Sequence, residues 1–136
     1  MREIIFKAKL SHSKQWIVGN LIIAQNGQPY IIPSDVFEPD GHHLRIDSDE
    51  PYWVDKETIS QFTGLTDKSG VEIYEGDIVK YTIDIPYEGI DDVSATVVWS
   101  VEDARYTLVN DEEYINEEFD IDTCQNSEVI GNIHDK

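Results

Sequence analysis

Residues 61–81, QFTGLTDKSGVEIYEGDIVKY, constrain the fold more than any other part of the chain. Gly70 follows Asp67-Lys68-Ser69, a turn composition in which glycine supplies the positive φ that a tight bend demands. Glu75-Gly76-Asp77 makes a second bend five residues later, and Val71-Glu72-Ile73-Tyr74 alternates between them, with Val71 and Ile73 on one side. Such a run admits short extended segments joined by tight turns and leaves no room for a long helix.

The rest of the chain repeats this pattern. Ile4, Phe6 and Ala8 face one way with Glu3, Lys7 and Lys9 mixed between them, as a strand with one buried face would. Residues 15–24, QWIVGNLIIA, form the next strand, where Gly19 permits a bulge or a close backbone approach. Asn26-Gly27 between two apolar runs predicts a hairpin returning through Pro29-Tyr30-Ile31-Ile32-Pro33. Residues 34–51 read as a long loop with a short strand conceivable at 43–46, and Asp55 can cap one helical turn before Thr58. Gln61-Phe62-Thr63 is an extended piece ending at Gly64, and strands follow at 78–85, 93–101 and 104–110, with residues 86–92 as a loop. Residues 111–123 fit either a short helix with Tyr114, Ile115, Glu118 and Phe119 as a stripe, or an acidic loop with aromatic anchors. Glu128 to Ile133 is a closing strand that can pair with the one at Ile78. The fold class expected is all-β, with one or two short helical turns at most. Residues 1–57 form an N-terminal antiparallel hairpin unit with its loop, and residues 58–136 form a small barrel of meandering strands.

Charge is distributed unevenly. Residues 1–57 hold six Lys or Arg against nine Asp or Glu, while residues 58–136 hold four against nineteen, a net of −15 out of −18 for the chain. A surface of that sign repels phosphate backbones, which disfavours direct nucleic-acid binding. The acidic candidates for an interaction surface are Asp84, Glu88, Asp91 and Asp92 in one segment, and Asp111, Glu112, Glu113, Glu117, Glu118, Asp120 and Asp122 in another. No stretch approaches the roughly 20 apolar residues of a membrane span, and MREIIFKAKL lacks the apolar core of a signal peptide, so a cytoplasmic protein is expected.

Catalytic patterns are absent from the residue spacing. Cys124, the single cysteine, has Asp120, Asp122 and Glu128 nearby in sequence, and negative charge disfavours a thiolate. His42 and His43 are adjacent, so on an extended chain they point to opposite faces, and neither Cys-His nor His-Glu-x-x-His spacing occurs. A calcium loop begun at Asp111 would need glycine at its sixth position, where Asn116 stands. No phosphate-loop glycine pattern is present, and the tryptophans and tyrosines suit packing better than base stacking, which needs basic residues beside them. No metal, cofactor or catalytic residue is therefore assigned.

Several segments together resemble the YopX-like proteins of phages and prophages: Met1-Arg2-Glu3-Ile4, Phe6-Lys7-Ala8, Trp16-Ile17-Val18-Gly19, Tyr30-Ile31-Ile32-Pro33, Thr58, Gln61-Phe62-Thr63-Gly64-Leu65, Asp67-Lys68, Gly70, Glu72 to Val79, and Val129-Ile130-Gly131-Asn132-Ile133. The resemblance implies an SH3-like β-barrel in the C-terminal half and a phage setting in a bacterial host cell, and it supplies no catalytic or ligand residues. The leading expectation is a non-enzymatic accessory protein that works through protein–protein contact, as a homo-oligomer or with another protein. The alternative is an acidic decoy that imitates nucleic acid before a basic protein. A carboxylate-based hydrolase comes third and requires a deep pocket with convergent acids.

Overall fold

In a computed structural model of the chain, residues 3–33, 52–85, 87–110 and 120–135 are described. The loop expected at 34–51 and residues 111–119 of the helix-or-loop segment at 111–123 lie outside them, and the rest of that segment enters a short helix. The elements in order are β1 (Phe6–Lys9), β2 (Trp16–Ile23), β3 (Pro29–Pro33), a 3-10 turn (Lys56–Thr58), β4 (Ser60–Thr66), β5 (Glu72–Tyr74), β6 (Asp77–Ile85), β7 (Gly89–Ser100), β8 (Arg105–Val109), α1 (Ile121–Gln125) and β9 (Ser127–Asn132). The strands hydrogen-bond antiparallel in two sheets, ordered β3-β2-β1-β4-β5 and β8-β7-β6-β9. The all-β expectation holds, with the two short helical elements it allowed. The chain divides into two compact units, Met1–Gln61 and Phe62–Lys136.

In the first unit the Asn-Gly pair does what its composition predicts. Gly27 takes φ 88°, Asn26 Oδ1 accepts from the Gln28 amide at 2.9 Å, and β2 returns as β3 in register from Ile23↔Pro29 to Gly19↔Pro33. Gly19 is the close approach its position suggested: a Cβ there would collide with the Ile32 carbonyl and lie 2.9 Å from Pro33 Cα. Ala8, Ile31 and Val54 form the buried core, with Phe6, Leu10, Ile17, Leu21 and Ile59 packed around them. On the opposite face Trp16 carries Lys7 and Lys9 over its ring, with ammonium-to-centroid distances of 4.8 and 5.4 Å.

The turn before β4 is capped differently from the expectation. The Asp55 side chain makes no cap bond; it pairs with Lys14 Nζ at 2.6 Å. Thr58 takes over, its hydroxyl donating to the Asp55 carbonyl at 2.7 Å and accepting from the Lys9 amide at 2.9 Å. β4 also runs on past Gly64 to Thr66 instead of ending there. Gly64 sits at φ 92° within a register shift, and the Thr63 hydroxyl bridges the irregularity by donating to the Ile73 carbonyl at 2.8 Å and accepting from the Leu65 amide at 3.2 Å.

In the second unit β6 and β7 form a long hairpin, in register from Ile78↔Thr96 to Ile85↔Gly89. Residues 89–92 therefore belong to a strand and not to the loop expected over residues 86–92. Pairing with β6 holds them extended, and all four are exposed, so their carboxylates stay in water at little cost; burial alternates only from Val93 onward. β9 pairs with β6 as anticipated, with a register shift between Ile78 and Val79 that leaves Ile130 as the extra residue. The inward face buries Val79, Tyr81, Val93, Ala95, Val97, Tyr106 and Leu108 with Ile73 and Cys124. Trp99 packs edge-on against Tyr106, with centroids 5.0 Å apart.

Replacing Gly19 by Ala should cost about 1–3 kcal/mol, the range for forcing extra atoms into a filled site. Urea denaturation of the variant measures it, and an unchanged midpoint would show that β2 and β3 are not held this closely.

Candidate interaction surface

The residues that carry the sequence motif are consumed inside the second unit. Asp67, 4% exposed, accepts from three backbone amides: Ser69 at 2.8 Å and Val71 at 2.9 Å on Oδ1, and Val129 at 3.0 Å on Oδ2. The Lys68 amide donates to the Ser127 carbonyl at 3.0 Å beside it. Burial acts to raise the Asp67 carboxyl, but the amides of Val129, Val71 and Ser69 and the Lys68 charge outweigh it and hold the carboxyl below the ordinary value. Asp77, 1% exposed, accepts from the Tyr74 amide at 2.8 Å and from Asn132 Nδ2 at 2.9 Å. Between the two, Gly76 at φ 86° donates to the Val97 carbonyl at 2.8 Å and accepts from the Ile133 amide at 2.9 Å. Both aspartates were legible as turn residues. Their reach to β9 was not, although an Asp at a turn start followed by glycine three residues later signals a carboxylate that bonds its own backbone.

Nucleophile chemistry finds no support at Cys124. The thiol is 2% exposed and is pushed up to about 12, first by burial and then by the Asp120 charge. Asp120 caps α1, accepting from the Thr123 amide at 2.8 Å, and that amide is the main reason its carboxyl lies below the usual value. Among the described residues no three of His, Cys, Asp and Glu gather closely enough to hold a metal ion. Glu75 differs from the other acids, since partial burial raises its carboxyl.

The acidic candidates separate. Asp84 lies on β6 opposite Ile90, Glu88 is in the turn, and Asp91 and Asp92 follow on β7. Asp92 faces Lys80 at 3.5 Å and accepts from the Thr82 hydroxyl at 3.2 Å. Asp120 and Asp122 are at the start of α1. Asp111, Glu112, Glu113, Glu117 and Glu118 are outside the described residues.

Two shallow clefts open on the outer face of the β8-β7-β6-β9 sheet. One, about 180 Å³, is lined by Lys68, Lys80, Thr82, Asp92, Asn126 and Glu128. Its carboxylates oppose its ammonium groups, with Lys68 to Glu128 at 4.0 Å and Lys80 to Asp92 at 3.5 Å, so the charges compensate across the strands. The other, about 210 Å³, is lined by Ile78, Ser94, Ala95, Thr96, Val109 and Asn110. Val98, Val109 and Ile130 add exposed apolar surface to the same sheet. The sequence reading missed this face because its apolar members fall singly on four strands that only the fold brings together.

The family model described as YopX protein matches residues 15–136, and the chain belongs to the YopX family. No curated protein matches the chain. Among solved structures, the crystal structure of protein EF1440 from Enterococcus faecalis is similar in fold, with a TM-score of 0.61 at 24% identity over 98% of this chain and 95% of that one. No helix among the described residues is long and apolar enough to cross a membrane.

Asp67→Asn should destabilise the protein by about 1–3 kcal/mol at pH 7, because at least one buried amide loses its acceptor. A depressed carboxyl stabilises above its unfolded value and loses that effect as pH falls through the folded one. The gap between variant and parent in denaturant titrations should therefore narrow below about pH 4. For Glu75 the sign reverses, so Glu75→Gln should raise the melting temperature at pH 7 and lose that advantage in acid. Cys124 should resist iodoacetamide at pH 8 in native protein and react once urea unfolds it; rapid native labelling would contradict its burial.

Proposed function

We propose that this YopX-family chain is a non-enzymatic accessory protein of phage or prophage origin that works in the bacterial cytoplasm through protein–protein contact, by self-association or with a partner protein. The observation that carries this reading is the outer face of the β8-β7-β6-β9 sheet. Val98, Val109 and Ile130 are exposed there beside Ile78 and Thr96, on a sheet whose other face is a filled core. Apolar side chains grouped on a rigid sheet are surface that contact with a second protein would cover. The motif, by contrast, spends its carboxylates on backbone amides, which leaves them committed to structure. The five strands β5 to β9, with the second half of β4, are read as an opened variant of an SH3-like barrel, a form whose uncovered edges favour association.

A second reading draws on charge. With nineteen acidic residues against four basic ones in residues 58–136, the C-terminal part could oppose a basic protein as a nucleic-acid decoy. Salt separates the two, since exposed charge pairs are screened beyond roughly 8 Å at physiological ionic strength and apolar contact is not.

Light scattering behind size exclusion tests the self-association arm. Parent protein should form a defined oligomer, and Val109→Asp should shift it toward monomer without changing its circular dichroism. A parent that stays monomeric at high concentration, together with pull-downs from host cells that capture no protein dependent on Val109, would overturn the contact reading.

A further inference from the structure

Asn26 is the one asparagine of six that precedes a glycine. Beyond shaping the β2–β3 hairpin, the pair carries chemistry of its own. The side-chain carbonyl carbon of an asparagine is an electrophile, and the amide nitrogen of the next residue can reach it to close a five-membered succinimide ring. A following side chain crowds that approach, and glycine has none. Asn26 and Gly27 are both exposed, and nothing lies within 4 Å of where a Gly27 Cβ would stand, so the ring and an attacking water have room.

The hydrogen bonds of the turn act on this reaction in opposite directions. The Gln28 amide donates to Asn26 Oδ1 at 2.9 Å, which polarises the carbonyl under attack and stabilises the oxyanion that forms there. The Gly27 amide donates to the Ala24 carbonyl at 2.8 Å, and its proton has to leave before the nitrogen can attack. The Ala24 amide closes the turn from the other side, on the Gln28 carbonyl at 2.9 Å. The nucleophile is therefore restrained while the turn is closed. Loop tips open at far less cost than cores, so the restraint slows the reaction without abolishing it.

The product meets neighbours that cannot shift. β2 and β3 pair from Ile23↔Pro29 directly beyond the turn, and Ile31 of β3 is fully buried. Turn type and length set the register of a hairpin. At its far end Gly19 lies against the Ile32 carbonyl and Pro33, too close for the strands to slide past each other. An extra main-chain carbon in the turn is not absorbed by a change of pairing.

We propose that Asn26 is a modification site, converted spontaneously to isoaspartate at a rate set by opening of the β2–β3 turn, and that the product loosens the first unit. The Gly27 nitrogen bonds to Asn26 Cγ, the Cγ–Nδ2 bond breaks, and ammonia departs with the Gly27 amide proton. Water then opens the ring. Attack at Cγ gives aspartate with the original main chain. Attack at the Asn26 main-chain carbonyl carbon leaves the chain running through Cγ, one carbon longer.

The test ages the full chain in mild alkali and maps its peptides, with an isoaspartate-specific methyltransferase as the label. The label should fall at Asn26, and should accumulate about tenfold more slowly in native protein than in the same chain held unfolded in urea. The separated isoaspartate form should exchange its β2 and β3 amide hydrogens faster than the parent. Asn26→Asp should keep the parent's exchange rates, since Asp-Gly suits the same turn. Equal or faster labelling of native protein would overturn the control by the turn, and a native chain that never labels at Asn26 would remove the site. Parent-like exchange in the isoaspartate form would overturn the structural consequence.

Discussion

Two buried carboxylates organise the second unit. A buried charge is costly unless it is hydrogen-bonded, and here the bonding partners are backbone amides that would otherwise be unpaired themselves. Asp67 ties the turn after β4 to β9 across 62 residues of sequence, and Asp77 ties the end of β5 to Asn132 across 55. Gly76 lies between them in sequence, and the φ of 86° that glycine adopts readily lets its backbone bond both β7 and the residue after β9. With these links in place, the β4–β5 hairpin and the last strand have one register, and the core of Ile73, Val79, Tyr81 and Val97 can close around it. The motif that identifies the family is therefore a statement about architecture.

That placement has consequences for function. Asp67 and Asp77 are locked to amides, and Asp92 and Glu128 each lie beside a lysine. Cys124 is the buried residue of α1, and its thiol is kept protonated. What the second unit presents, among its described residues, is a sheet face with scattered exposed apolar side chains, Val98, Val109 and Ile130.

Local chemistry made much of the fold legible. Asn26-Gly27 gave away its hairpin because only small or amide side chains tolerate that backbone, and alternation located β1 and β5 but overreached at their starts, where Ile4 and Val71 lie outside the strands and are exposed. The errors arose where a local signal met a longer-range one. Pro86 suggested a loop through residue 92, but pairing with β6 holds residues 89–92 extended while their carboxylates stay in water. Gly64 suggested a strand end, but the Thr63 hydroxyl carries the strand across it. Asp55 suggested a helix cap, but Lys14, forty-one residues away, takes its carboxylate. The outer sheet face was least legible, since Ile78, Thr96, Val109 and Ile130 come from four strands and carry no pattern along the chain. Of the acidic surface, Glu88, Asp91 and Asp92 fall together on one hairpin, while Asp120 and Asp122 belong to α1.

The account depends on Asp67 being an ionised, amide-bound carboxylate. Its side-chain carbon can be followed by NMR through an acid titration, together with the amides of Ser69, Val71 and Val129. The midpoint should fall below the ordinary aspartate value of about 3.9, with all three amides shifting alongside it. A midpoint at or above that value, or amides indifferent to the titration, would contradict the clamp on which the second unit is built.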